Sequence, residues 1–577
     1  MTQEQTSKYA QRFWKKNWDE GLEDLAYEEY NKTFLEFISP TFQDFPNVMA
    51  YAYLGIEHTF RELDEFSNKF ANMLLDQGFK KGDIVGINLP NTPEYLISVI
   101  GTLKAGCIVS GISPLLSAVQ VQYQLNDLGA KDKKVALVTL DAAFEANIMK
   151  IANKIERTEL IITTSVAGFL PGWKRFLGKL LGKVPKGKVV PIPGKTVFDF
   201  HNDVLANYPS ISVNVDLTPD DVGWIQYTGG TTGPPKGAML THRNCVHNIK
   251  SVTTWLHWKR NQGILLSGFP MFHIAGLTLA EAGPSLAIPQ ILIPNPRDTA
   301  HIVEEMKKYD VTNLVNVPSL YQMLMKEEEF QEMDHSNLGI CISAAAPFPK
   351  ESQVELEKII GKEKLLELYG MTETSPVSTM NPARKEKKLG TVGMPFLNVE
   401  CKIVNPQTNE LVPIGEAGEI CIGGPLVMKG YYNKPEETKN AIDSDGFMHT
   451  GDVGIMDKDG YIRIVDRTKD MINVGGYKVF SSKVEDELSK HPAIDMMALI
   501  GIPQPDRPGS EIVKAYIQIH PDYQYQSEDS LKKEILEYAN EILAPYEIPK
   551  EIQFTKEIPL TAVGKIDKKV LRKEASE

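Results

Sequence analysis

The chain has 577 residues, 42% of them hydrophobic and 24% charged. That is a globular balance over a length that implies several domains, which excludes a disordered chain and a small disulfide-stapled scaffold. Lys and Arg total 62 against 75 Asp and Glu, a net charge of −13, so no nucleic-acid partner is expected and an anionic ligand must be held by local chemistry.

The five cysteines, Cys107, Cys245, Cys341, Cys401 and Cys421, are odd in number and widely spaced. They form neither a Cys-x-x-Cys metal signature nor a complete disulfide framework, and read as reduced cytosolic thiols. The N-terminal stretch MTQEQTSKYAQRFWKKNWDEGLEDL lacks the apolar run of a signal peptide. Residues 261–296 hold no Lys or Arg, but Glu281 and repeated Gly and Pro interrupt them. They read as buried core rather than the ~18 apolar residues of a membrane span.

In chain order, Thr59-Phe-Arg-Glu62 is a capping box opening an amphipathic helix through Leu63, Phe66, Phe70, Met73 and Leu74 that stops at Gly78. Residues 84–89 read as an apolar strand, 93–104 as a helix begun by Pro93 and ended by Gly106, and 107–109 as the next strand. Another strand at 135–138 continues the alternation, which resumes after a glycine-rich segment at 228–237. Strands alternating with helices imply βαβ units. The expected fold class is α/β, with a large N-terminal body of α/β subdomains and mixed sheets over 1–465.

Beyond it the pattern changes to helix 483–490, strands 494–502 and 511–519, helix 529–543 and strand 551–555, a small α+β domain over 471–577. The charged segment Asp466-Arg-Thr-Lys-Asp470 between the two reads as a hinge that makes the small domain mobile.

Gln226-Tyr-Thr-Gly-Gly-Thr-Thr-Gly-Pro-Pro-Lys-Gly-Ala238 packs glycines, threonine hydroxyls and one lysine behind an apolar strand. Glycines free backbone N–H groups to wrap phosphate oxygens, and the hydroxyls and Lys236 add donors and charge. A Walker A loop needs Gly before the lysine and Ser or Thr after it, whereas Pro235 and Gly237 flank Lys236. The bland alternative is a flexible surface turn.

This string resembles the AMP/phosphate signature of the adenylate-forming superfamily, which includes acyl-CoA synthetases, luciferases and peptide-synthetase adenylation domains. The resemblance implies that Thr228, Gly229, Gly230, Thr231, Thr232, Gly233 and Lys236 cradle the phosphates of ATP. Four further segments follow in the family's order. Ser343-Ala-Ala-Ala-Pro347 resembles the small-residue lining of the adenine pocket, at Ala344 and Ala345. Tyr369-Gly-Met-Thr-Glu-Thr374 resembles an element in which Tyr369 stacks on adenine, Thr372 contacts phosphate and Glu373 holds Mg2+.

Asp445-Gly-Phe-Met-His-Thr-Gly-Asp452, continuing to Arg467 and Lys469, is similar to the long signature of fatty acyl-CoA synthetases. Asp452 would accept from both ribose hydroxyls, as an acceptor-only carboxylate suits a vicinal diol, and Arg467 would donate to the same sugar. The Asp457–Gly460 stretch reads as a solvated turn. Leu560-Thr-Ala-Val-Gly-Lys-Ile-Asp-Lys568 resembles the motif of the catalytic lysine, here Lys565. Gly229 stands where many members have serine, and Lys568 where arginine is usual.

The resemblance runs from about residue 40 to 573, and most resembles bacterial long-chain fatty acyl-CoA synthetases. It implies that a fatty acid attacks ATP to give acyl-AMP and pyrophosphate, after which the thiol of CoA displaces AMP. Lys565, Thr372, Glu373 and Lys236 would be catalytic in the first half, Lys469 the hinge, and Gly475 and Gly476 the backbone facing CoA in the second. Rival readings are an aryl-CoA ligase, a fatty acyl-AMP ligase and a non-catalytic fatty-acid binding protein.

Phe269-Pro-Met-Phe-His-Ile-Ala-Gly276 resembles the acyl-pocket floor, with Phe272 or His273 near the carboxylate, although a histidine in so apolar a run reads equally as core. Between Glu159 and Asp199 no acidic residue occurs, while Lys174, Arg175, Lys179, Lys183, Lys186, Lys188 and Lys195 are basic. Trp173, Phe176, Leu177, Leu180 and Leu181 share one helical face there, the pattern of an interfacial helix. The expected location is cytoplasmic, with 172–195 touching an anionic inner membrane face; the alternative is a helix docked on its own domain. A homodimer is one assembly open to such a chain.

Overall fold

Ile84–Asn88 and Val135–Leu140 are buried at every residue, as parallel strands covered on both faces must be. In the computed structural model, which describes residues 9, 11–180, 184–228, 234–346, 348–475, 477–504, 507, 510–560 and 566–576, with backbone alone at 177, 179 and 180, they lie at the middle of an eight-stranded sheet. Its order in space is Gly430–Tyr431, Lys236–Thr241, Val222–Thr228, Ile108–Gly111, Ile84–Asn88, Val135–Leu140, Thr158–Thr164 and Thr196–Asp199. The sheet is parallel except where Val222–Thr228 turns back antiparallel into Lys236–Thr241, and that into Gly430–Tyr431.

A second sheet of nine strands holds Asn313–Asn316, Ile340–Ser343 and Leu365–Gly370 in parallel register, followed by the antiparallel Val377–Met380. Helices cover both sheets. Phe60–Asp76 starts where the capping box places it: Thr59 Oγ1 accepts the Glu62 N–H, and Glu62 Oε2 accepts the Thr59 N–H at 2.8 Å. Such a cap contributes about 1 kcal/mol. Pro93–Lys104 keeps the bounds its proline and glycine imply.

A four-stranded antiparallel sheet, Glu400–Val404, Ala417–Gly423, Met448–Met456 and Ile462–Arg467, completes the large body. The small C-terminal domain carries a separate sheet of Ile494–Pro503, Glu511–Ile519 and Glu551–Thr555 under the helices Ser481–Leu488, Glu528–Ile542 and Lys568–Ser576. Between the bodies, buried Asp466 accepts the backbone N–H of Ser481 and its hydroxyl, and Asp470 pairs with Arg572 at 2.5 Å. The segment read as a hinge is thus anchored at both ends to helices of the small domain.

The N-terminal segment packs against the large body. Trp14 and Trp18 are buried, the Trp18 indole donates to the Pro395 carbonyl at 3.1 Å, and Asp19 accepts the backbone N–H groups of Arg384 and Lys385. The arm therefore clasps the stretch that leads into the four-stranded sheet.

Candidate functional site

The glycine-rich segment joins two antiparallel strands whose last pair sets Thr228 opposite Lys236. Residues 229–233, expected to cradle phosphate, lie outside the described residues; the two flanking donors are held together at the mouth of the loop. Gly430–Tyr431 pairs alongside, with Tyr431 opposite Ala238. Side chains two apart share a strand face, so Lys236 comes to lie over the Tyr431 ring, 4.8 Å from its centroid. Its ammonium also meets Glu437 at 2.9 Å, and that bond holds the Glu437 carboxyl below its ordinary range.

Tyr431 then reaches the other way. Its hydroxyl donates to Glu373 Oε1 at 2.7 Å. Glu373 is buried, and desolvation pushes its carboxyl above the ordinary range against the opposing pull of the Tyr431 hydroxyl. Glu373 sits in the short turn Thr372–Thr374 after the strand Leu365–Gly370, and Asn248 holds that turn, donating to the Thr374 and Val377 carbonyls. Gly370 needs to be glycine because a Cβ there would meet the Pro376 carbonyl oxygen at 1.9 Å. Thr372 is buried beside Glu373.

A buried carboxylate with one hydroxyl donor and a lysine nearby is poised to accept a cation, and Mg2+ binds through one or two carboxylates with substrate phosphates supplying further oxygens. The residues present fit that ion.

The carboxyl ends of neighbouring parallel strands are where open α/β sheets hold ligands. Ile340–Ser343 ends at Ala344 and Ala345, the latter left-handed at φ 70°. Leu365–Gly370, next to it, ends at Tyr369 and Gly370. From the facing sheet Asp452 and Arg467 are cross-strand partners. Arg467 Nε donates to Asp452 Oδ1 at 2.8 Å, and the Tyr369 hydroxyl donates to Oδ2 at 2.7 Å. Burial, then the adjacent Asp452, keeps the Tyr369 phenol protonated. The arrangement joins Tyr369, expected at adenine, to Arg467, expected at ribose, through the one carboxylate of Asp452.

Other candidates fall differently. His273 caps the helix Ile274–Leu286, its Nδ1 accepting the Ala275 N–H at 3.3 Å. Phe272 is half-buried, and a Cβ on Gly111 would meet its carbonyl oxygen at 2.4 Å. Gly475 turns the hairpin of Ile472–Val474 and Tyr477–Val479 at φ +59°, with its N–H on Ser510 Oγ at 2.9 Å. Gly476 and Lys565 lie outside the described residues. Lys469 is pulled down to about 8 by partial desolvation and then by the Arg467 cation.

Two expectations need correction. The Asp457–Gly460 turn is not merely solvated: Lys388 Nζ bonds Asp457 at 2.7 Å and Asp459 at 2.8 Å. Within the basic segment, Lys195 Nζ donates to the Ile155 and Thr158 carbonyls and Arg175 to those of Gly168 and Leu170, so these two cations are spent on the body. The helix Gly172–Leu180 leaves Trp173 64% and Phe176 68% exposed, while the side chains of Leu177 and Leu180, and Leu181, lie outside the described residues.

Sequence reasoning missed Tyr431, Glu437 and Asn248. The available signal was the aromatic pair Tyr431-Tyr432 just before Pro435, which starts the helix Pro435–Ala441; its meaning depended on a strand pairing across two hundred residues of chain.

A family model described as AMP-binding enzyme matches residues 40–432, and one described as AMP-binding enzyme C-terminal domain matches 483–565. The long-chain-fatty-acid–CoA ligase of Bacillus subtilis is 36% identical over 555 residues, 95% of each chain. That of Escherichia coli O157:H7 is 34% identical over 535 residues, 91% of each. Among solved structures, ATP-bound MatB from Rhodopseudomonas palustris superposes with a TM-score of 0.81 at 26% identity, over 95% of this chain and 99% of that one.

Proposed function

This chain belongs to the AMP-binding enzyme family, and from that premise we propose that it is a fatty acyl-CoA synthetase, joining a medium- or long-chain fatty acid to CoA through an acyl-AMP intermediate. The reading is carried by likeness to long-chain-fatty-acid–CoA ligases that runs the length of both chains.

In the first half, the fatty-acid carboxylate attacks the α-phosphorus of ATP and pyrophosphate leaves. Charge spreads over phosphate oxygens, so catalysis is chiefly positioning and electrostatic stabilisation. Thr228, the loop at 229–233 and Lys236 bind the phosphates, with Glu437 and Tyr431 orienting the ammonium. Tyr369, Ala344 and Ala345 line the adenine. Asp452, pinned by Arg467, accepts from the ribose diol. Thr372 contacts phosphate, and Lys565 bridges carboxylate and α-phosphate. Glu373 would hold Mg2+, which when bound neutralises phosphate charge. In the second half the CoA thiol attacks the acyl carbonyl and AMP leaves, after rotation about Lys469 brings the hairpin at Gly475 and Gly476 towards the thiol's path.

Among the described residues no helix is long and apolar enough to cross a membrane. We place the protein in the cytoplasm, with Trp173 and Phe176 meeting an anionic inner membrane face.

The decisive assay is CoA-dependent AMP release over a panel of carboxylates. Saturation by medium- or long-chain fatty acids is the expected result. Preference for aryl acids, AMP-ester formation without CoA, or binding without turnover would each select one of the rival readings.

A further inference from the structure

Away from the nucleotide-side residues, three ligand-type side chains meet on the four-stranded sheet. Glu419 and Cys421 lie two apart on the strand Ala417–Gly423, so they share a face, and Cys421 stands directly opposite His449 on Met448–Met456. His449 Nδ1 lies 3.0 Å from Glu419 Oε2 and 3.6 Å from Cys421 Sγ. All three donor atoms fall within 4.8 Å of one another.

Carboxylate and thiol approach the same ring nitrogen. A nucleophilic cysteine relay would use opposite nitrogens, the acid on one and the thiol on the other. What the three atoms do share is one point in front of Nδ1. A tetrahedral cation with bonds of about 2.0–2.3 Å would set its nitrogen and sulfur ligands roughly 3.5 Å apart, close to the spacing seen.

The surroundings match those of a bound ion. A ligating imidazole usually hands its other N–H to a carboxylate; Asp443 Oδ2 stands on that side of His449, 3.8 Å from Nε2, within ion-pair reach but longer than a hydrogen bond. Asp443 is itself fixed by Lys402 at 3.0 Å and by the N–H groups of Asp445 and Phe447. Glu419 keeps its second oxygen on the Gly451 N–H at 3.0 Å, leaving Oε2 for a ligand. Glu419 and Cys421 are buried and His449 is half-buried, so an ion could enter past the imidazole and keep a water there. A divalent ion with one thiolate and one carboxylate is neutral, and Asp443 with Lys402 balances separately.

We propose that Glu419, Cys421 and His449 form a Zn2+ site separate from the Mg2+-type position at Glu373. Sulfur and imidazole ligands select a borderline transition-metal ion over Mg2+ or Ca2+. Cys421 binds as the thiolate, its proton passing to solvent as the metal–sulfur bond forms. Gly451 precedes Asp452, and an occupied site would stiffen the strand that presents the ribose-side carboxylate.

The test titrates the chelator-treated full chain with Co2+ alone. Expected are visible bands and a near-ultraviolet thiolate-to-cobalt band saturating at about one ion per chain, displaced by Zn2+ but not by Mg2+. Cys421→Ser abolishes the thiolate band, and Asp443→Asn weakens affinity about 10–100-fold. A wild type without the saturable band, or a band that survives Cys421→Ser, overturns the proposal. If Cys421→Ser does not fold, His449→Gln decides: a cobalt band of unchanged position and affinity in that variant also overturns it.

Discussion

The hydroxyl of Tyr431 donates to the buried carboxylate of Glu373 at 2.7 Å, while the face of the same ring carries the Lys236 ammonium 4.8 Å from its centroid. One side chain therefore couples Lys236, proposed to bind phosphate, to Glu373, proposed to hold Mg2+.

Tyr431→Phe should keep the ring under Lys236 but strip Glu373 of its hydroxyl donor. An unpartnered buried group costs about 1–3 kcal/mol. The Mg2+ concentration at half-maximal rate should rise about tenfold, which corresponds to ~1.4 kcal/mol. An unchanged Mg2+ dependence would separate Tyr431 from the site.

Asp452→Asn replaces an acceptor-only carboxylate with a group that is half donor, facing both Arg467 and Tyr369. Hydrogen bonds to charged groups are worth about 1.5–3 kcal/mol, so kcat/KM for ATP should fall by about 10–100-fold. The KM for fatty acid should hardly move, as initial-rate kinetics with each substrate varied in turn will reveal.

Lys565→Ala should abolish ATP–pyrophosphate exchange yet leave synthetic acyl-AMP competent for thioester formation. Equal loss of both half-reactions would sink the assignment of Lys565 to the first.

Burial raises the Asp466 carboxyl from its ordinary 3.8 to about 6. The folded chain holds this proton more tightly than the unfolded one, so Asp466 adds stability below about pH 4 and that contribution is lost as pH rises through about 6. The span of about two pH units corresponds to roughly 3 kcal/mol at most. Asp466→Asn should flatten the pH dependence of melting between pH 4 and 6 relative to wild type. Parallel melting curves for the two proteins would contradict it.

Trp173→Ser combined with Phe176→Ser should release the protein from sedimenting vesicles rich in anionic lipid at low salt. Co-sedimentation equal to wild type would leave the exposed face without its lipid.

The local rules succeeded where the chain supplied its own punctuation. Pro93 and Gly106 bracket a helix, and Glu511–Ile519 and Glu551–Thr555 fall where their apolar pattern places them. For His273 the apolar run left pocket and core readings level, and it does not disclose that the histidine caps the following helix. Motif order singled out Asp452, Arg467 and Tyr369, whose side chains meet, and Glu373, but not Tyr431 and Glu437, which the structure sets beside Glu373 and Lys236. Their part follows from an edge strand pairing with Lys236–Thr241 from far along the chain, a relation that no periodicity within either segment encodes.

Trp18 meets Pro395 across 377 residues of sequence. At about 5–20 residues per second of synthesis, the arm must wait roughly 20–75 s on the ribosome before its binding partner emerges. Through that interval two tryptophans that end up buried are open to water and to other chains. Translation speed over the first four hundred residues, and the supply of chaperones that shelter nascent apolar segments, will therefore bear on how much active enzyme a cell recovers, even though neither touches the site itself.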